Sequence, residues 1–385
     1  MEDKTSKDQT PIEIKLTNPR LSLDSTVDNL VKEQKLPFFR PISQRGDNTW
    51  VVSLFFILHL VAFFITMIVN DCWKNSHGDC ALKPLGMLSF QPLSENPLLG
   101  PSASALDTMG ALRQTFLTQH HKIWRLLISP WLHAGLVHLV INLSCVIFFG
   151  IHLQQEFGPF ITGIIYILSA FSGSLVAALF LGDRPSVASS GALFGLLGAT
   201  LSGLLRNWKF YTNKLAALLT ILSLSTINLL LGLLPFVNNF SNIGGFLSGF
   251  LLGLVLLFSP QVSNVAQNKG GLFDYNVKCS VKLRQKFDRP VLRSVSLVLF
   301  SLLFGGLIVA VLHGINVNKY CHSCRYIDCV PSAWWSCNDQ PMHCETVVST
   351  ERLTLTCLDK DKFMVFPFTD ISPARIEDLC NLICS

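Results

Sequence analysis

Apolar residues gather along this chain into seven runs, near 50–69, 133–152, 159–181, 190–206, 214–234, 241–258 and 294–313. Each approaches the ~20 residues that a helix needs to cross ~30 Å of hydrocarbon, so each predicts a transmembrane helix. The fourth and sixth runs are short, rich in glycine and begin beside polar residues. That pattern predicts helices packed inside a bundle rather than facing lipid. The polar remainder divides the chain further. Residues 1–48 are rich in Lys, Asp, Ser, Thr and Pro and predict a solvated, disordered tail. Their first residues, Met1-Glu2-Asp3-Lys4-Thr5, lack the apolar core of a signal peptide.

Composition agrees with the pattern. The 385 residues are 50% hydrophobic and 14% charged, against roughly 25% charged in soluble domains. Mean hydropathy is +0.44. The net charge of +5 is small, and no basic patch interleaved with aromatics suggests nucleic-acid binding. The positive charges are distributed by topology. Lys32, Lys35, Arg40 and Arg45 precede the first run. Arg206, Lys209 and Lys214 lie between the fourth and fifth, and Lys269, Lys278, Lys282, Arg284, Lys286, Arg289 and Arg293 between the sixth and seventh. The opposite connections are poorer: 235–240 has no Lys or Arg, and 182–189 has Arg184 alone. Positive charge is retained on the cytosolic side, so the expected N-terminus is cytosolic and the expected C-terminus luminal or extracellular.

This assigns 1–48 to a cytosolic tail, 49–70 to the first span and 71–132 to a luminal loop. It assigns 133–258 to core helices two to six, 259–293 to a basic cytosolic loop, 294–313 to the seventh span and 314–385 to a luminal tail. Cysteine usage fits the same orientation. Cys72 and Cys80 fall in the first luminal loop. Cys321, Cys324, Cys329, Cys337, Cys344, Cys357, Cys380 and Cys384 crowd the tail. Cysteines concentrated on an oxidising side predict disulfides in a small stapled domain. The spacing of Cys321-His322-Ser323-Cys324 also suits zinc; disulfides are the favoured reading, and no metal is assigned. Trp334, Trp335, Phe363, Phe366 and Phe368 are the candidate core of that domain. The sequons at Asn142 and Asn239 lie inside or against spans, where modification is not expected.

Several ordered motifs carry chemistry. They are Trp124-Arg125, then His133 with His138 and Asn142, Gln155-Glu156-Phe157-Gly158, the segment Ala188-Ser189-Ser190-Gly191-Ala192-Leu193-Phe194-Gly195, and Ser241-Asn242-Ile243-Gly244-Gly245-Phe246-Leu247-Ser248-Gly249. From about Ile123 to Phe258 this resembles the rhomboid family of intramembrane serine proteases. Later details, including Tyr326-Ile327-Asp328-Cys329-Val330-Pro331, look most like plant secretory-pathway members. The resemblance implies an all-α membrane fold: a six-helix core, a seventh C-terminal transmembrane helix and a small Cys-rich luminal tail. It places Ser190 at the nucleophile position opening helix four, His138 and Asn142 on the oxyanion side, and His133 at the luminal mouth of helix two. Trp124-Arg125 falls in a loop at the bilayer edge. Gly191, Gly245 and Gly249 belong to the helix-packing motifs.

At the position of the family's histidine base stands Asn242. A serine hydroxyl needs a base to take its proton and an acid to protonate the leaving amine. An amide side chain is neither near neutral pH. Loss of the base costs on the order of 10⁴–10⁶ in kcat. Ala188, where the family usually has glycine, would be strained if its backbone needed a positive φ. The reading that follows is a pseudoprotease without cofactor, binding or regulating transmembrane client proteins in the bilayer. The alternative is an active protease using Ser190 with a non-standard base. A transport or lipid-handling role ranks third, because few ionisable residues lie in the spans.

Overall fold

The computed structural model describes residues 37–39, 49–257 and 290–384, less 76–79, 119, 209–210, 322, 333–334, 336, 338–343, 350–351, 359–361, 368–370 and 372. The basic loop through Arg289, the N-terminal basic residues, Lys209, Trp334 and Phe368 lie outside the described residues.

Among the described residues seven apolar helices form the body: α1 (Trp50–Asn70), α2 (Leu136–Phe157), α3 (Pro159–Leu179), α4 (Ser190–Arg206), α5 (Lys214–Leu231), α6 (Asn239–Leu256) and α7 (Pro290–Leu312). Six are long and apolar enough to cross a membrane, and α4, with 17 residues, is shorter. α4 is short because it touches almost no lipid. Ala192, Leu193, Leu196, Leu197 and Ala199 are fully buried, with α2, α3, α5 and α6 around the helix. The outer helices bear the opposite pattern. Leu215, Leu219 and Leu230 on α5 and Leu302 and Leu312 on α7 remain more than half exposed, forming the apolar faces that a bilayer solvates.

Glycine sets the spacing at the centre. A methyl group on Gly245 would overlap the Gly191 carbonyl, one on Gly249 the Gly195 carbonyl, and one on Gly253 the Ser202 hydroxyl. The backbones of α4 and α6 are therefore in van der Waals contact along three successive turns. Gly173 of α3 closes the same junction against Ser241 and Gly191. Small residues allow the dispersion contacts that hold helices together where lipid supplies no hydrophobic drive.

The two ends of the bundle differ. At one end, Arg206 and Arg293 donate to the Leu254 and Val255 carbonyls at the C-terminus of α6. Two of the charges read as topology signals thus also satisfy carbonyls that the helix leaves open. Phe38 and Phe39 pack there against His152, Tyr211 and Phe148, so the stretch expected as solvated throughout 1–48 is anchored at these rings. Burial of two phenyl groups outweighs the cost of ordering a short segment.

At the other end the cysteines collect. All ten candidate cysteines are paired, as Cys72–Cys80, Cys321–Cys324, Cys329–Cys337, Cys344–Cys380 and Cys357–Cys384. The pairing takes Cys321 and Cys324 out of the zinc alternative. Cys145 is free and buried in α2. The tail adds β structure to the helical body: β1 (Cys344–Val348), β2 (Leu353–Cys357) and β3 (Phe363–Phe366) form an antiparallel sheet in that order, with Cys344 opposite Cys357 and Leu353 opposite Phe366. Helix α8 (Pro373–Cys384) covers β2. The core proposed for this domain from its aromatics is not the observed one. Leu353, Leu355, Leu379 and Ile383 fill it with two disulfides, Phe366 only borders it, and Phe363 is 69% exposed. A sheet this small buries too little apolar area to stand without covalent staples.

The glycine contacts make a direct prediction. Gly245→Ala should cost about 1–3 kcal/mol through overpacking, seen as a lower Tm of the purified protein. Gly305→Ala, at a helical glycine with nothing within 4 Å, should not lower Tm, because alanine fits the space and favours the helix.

Candidate functional site

Ser190 is the first residue of α4, and the segment before it is held from three directions. Leu112 and Ser186 exchange both backbone hydrogen bonds at 2.8 Å, the Val187 N–H donates to the Phe236 carbonyl at 2.8 Å, and the Ser241 hydroxyl donates to the Ala188 carbonyl at 3.1 Å. The loops preceding α4 and α6 are thereby zipped together over the α4–α6 junction. The strain expected at Ala188 is absent: it is fully buried and is not among the residues with positive φ, so alanine fits where glycine was expected. The Ser190 side chain is 2% exposed, and its hydroxyl has no hydrogen-bond partner among the described residues.

The residues read as the oxyanion side come together differently from expectation. His138 and Asn142 share one face of α2, four residues apart. Asn142 nevertheless bonds His133, with Nδ2 to Nε2 at 2.9 Å, while both ring nitrogens of His138 are without a partner among the described residues. His133 precedes α2, which begins at Leu136. Its ring lies between those of His59 and His138, at 5.0 and 5.1 Å between centroids. His59 in turn bonds Tyr166 of α3 and the Trp131 carbonyl. Neither His133 nor His138 bonds Ser190.

Trp124 and Arg125 have separate roles in the loop before α2. Trp124 is half exposed. Arg125 is buried and donates to the Ala111 carbonyl at 2.5 Å and the Asp107 carbonyl at 2.7 Å. Burial draws its guanidinium below the ordinary value, opposed by the Asp107 carboxylate. These contacts brace the loop against the short helix Ala103–Met109.

Asn242 lies one turn before Gly245, the residue packed on Gly191 beside the serine. Its Nδ2 donates to Asn239 Oδ1 at 2.8 Å, and its Oδ1 has no partner among the described residues. Asn239 carries the connection outward. Its Nδ2 donates to the Leu229 carbonyl of α5 at 3.1 Å and to the Ile327 carbonyl of the tail at 2.7 Å, and its backbone N–H donates to Asp328 Oδ1 at 2.8 Å. Asn238 caps α6, its side-chain oxygen accepting from the Ser241 N–H. The Val330 N–H adds a bond to the Leu233 carbonyl. The position read as the lost base is thus the inner member of an amide relay from the α4–α6 junction to α5 and the tail. Sequence reasoning missed Asn239 and Asp328 in this role. Asn238-Asn239 before an apolar run was a legible helix-start signal; the tail partner, almost ninety residues away in the chain, was not.

The Rhomboid domain family model matches residues 120–259, the stretch containing α2 to α6. An Arabidopsis thaliana protein named "Inactive RHOMBOID-like protein 8" is 51% identical over 317 residues, covering 82% of this chain and 90% of the relative. The chain belongs to the rhomboid family. "RHOMBOID-like protein 1" of the same plant is 43% identical over 87% of this chain and 85% of its own length. "Inactive rhomboid protein 1" of Danio rerio is 31% identical over 54% of this chain and 22% of its length. This rhomboid is accordingly a multi-pass integral membrane protein.

The amide relay is testable. Asn239→Ala removes two donors and one acceptor and strands the Leu229 and Ile327 carbonyls. It should cost about 2–4 kcal/mol in thermal unfolding and speed amide exchange at 325–331.

Proposed function

We propose that this rhomboid is catalytically inactive and binds transmembrane client proteins without cleaving them. The observation that carries the reading is the state of Asn242: its Nδ2 donates to Asn239, its amide is not a base, and the Ser190 hydroxyl has no acceptor among the described residues. Of the relatives compared, one that is 51% identical is itself named inactive. Ser190, His138 and Asn142 are then a vestigial nucleophile and oxyanion side, retained because their buried positions belong to the packing of α2 and α4.

Binding does not need the base. The cysteine-rich end, which we assign to the lumen of the secretory pathway with the N-terminus in the cytosol, holds a cavity of about 290 Å³ beside the α4–α6 junction. Phe180, Pro185, Phe236, Tyr326 and Pro331 give it apolar walls, and Arg184 and Asp328 also line it. A client helix lying against α5 would place the segment following it over this cavity. The cavity is built by the loops before α4 and α6 together with the tail, so the tail enlarges the surface that a client flank meets.

The decisive experiment co-expresses a tagged rhomboid substrate with wild type, Ser190→Ala and Asn242→His. Wild type is expected to give no cleavage product and to co-purify with the substrate, and Ser190→Ala should retain it equally. Product from wild type that disappears in Ser190→Ala would overturn the reading in favour of an active protease with an unusual base. Absence of both product and co-purification would overturn client binding. As a second measurement, a fluorophosphonate probe should leave wild-type Ser190 unlabelled under conditions that label an active rhomboid.

A further inference from the structure

Away from the vestigial site, the tail docks on the loop after α1 through a buried charge cluster that does not balance. Arg375 of α8 reaches into the loop, where Nη1 and Nη2 pair with the two oxygens of Glu95, the latter at 2.7 Å, and Nη2 also donates to Gln91 Oε1 at 3.0 Å. Gln91 is fixed by Asn70 at the end of α1, which also accepts from the Ser102 N–H. One turn along α8, Asp378 Oδ2 accepts from the Ser104 N–H at 3.0 Å and lies 3.8 Å from Arg375 Nη1. The side chains of Arg375, Glu95 and Asp378 are 4%, 8% and 12% exposed. Asp107, on the short helix that carries Ser104, is engaged by Arg113 at 2.6 Å and Arg125 at 3.8 Å, so those two cations are committed to another carboxylate. Among the described residues, two buried carboxylates therefore share one guanidinium.

We propose that this cluster is a proton-sensitive clasp: with a proton on Asp378 the Cys-rich domain docks on the loop after α1, and with Asp378 ionised the docking weakens. Burying a charge without a counter-charge is expensive, and here a proton removes the excess. Glu95 holds the better geometry on Arg375, with both oxygens engaged, so Asp378 is the group that takes the proton. Burial, then the Glu95 charge, raises its carboxyl from the ordinary 3.8 to about 7, against the pull of Arg375 and Ser104. The docked state binds more protons than the undocked state between those two values. Its extra stability is present in acid and is lost as pH rises through the upper one. The disulfides Cys344–Cys380 and Cys357–Cys384 join α8 to β1 and β2, so the sheet moves with the helix. The position of the domain relative to the loop would then respond to the acidity of the compartment.

Amide exchange of the full-length protein in lipid nanodiscs tests the clasp, read on peptides covering 91–109 and 373–384 and corrected for the intrinsic pH dependence of exchange. In wild type, the undocking equilibrium constant should be roughly thirty-fold larger at about pH 8 than at about pH 5.5. Asp378→Asn, which carries no titrating proton, should give the same protection at both. Glu95→Gln, which leaves one carboxylate for the guanidinium, should move the transition to lower pH and keeps the test open should the first variant fail to fold. Equal protection of wild type at both values, an unchanged pH dependence in Asp378→Asn, or an unmoved transition in Glu95→Gln would each overturn the proposal.

Discussion

Backbone contact between α4 and α6 is the constraint on which the rest of this molecule depends. Hydrocarbon gives apolar helices no reason to associate, so close approach must supply dispersion contacts that lipid tails cannot match. Gly191, Gly195, Gly245 and Gly249 allow that approach, and Gly173 brings α3 into the same junction. With the two backbones touching, Ser190 and Asn242 meet the junction from opposite helices, and the loops before α4 and α6 pair along Val187 and Val237. The placement of these two residues is therefore a consequence of helix packing.

The amide at position 242 makes a structural contribution. The asparagine gives Asn239 a donor, and Asn239 spends its own amide on α5 and on the tail. These hydrogen bonds tie the inner junction to the cysteine-rich end. The buried ring series His59, His133 and His138, with Asn142 and Tyr166, makes structural contacts of the same kind, among its own members, with Trp131 and with Phe55.

The cysteine-rich domain is held by other forces. Its sheet buries only a few aliphatic side chains, and two disulfides join α8 to β1 and to β2. It meets the membrane body through polar groups: Asp328 at the start of α6, and the Arg375 cluster at the loop after α1.

The spans, the helix-packing glycines, the pairing of cysteines on one side and an asparagine within the α6 motif were legible in the sequence alone. Each is a local property: hydropathy over twenty residues, a four-residue glycine spacing, a residue type at one motif position. Tertiary structure alone decided which groups meet. His138 and Asn142 share a helix face, yet Asn142 bonds His133, because the chain before α2 folds back onto it. Phe38 and Phe39 leave a polar tail to join the core, and aliphatic residues rather than aromatics fill the tail domain. The contacts Asn239–Ile327 and Glu95–Arg375 span 88 and 280 positions. A buried hydrogen bond or ion pair between such distant residues has no periodicity to announce it. Only the folded chain brings its donor and acceptor together.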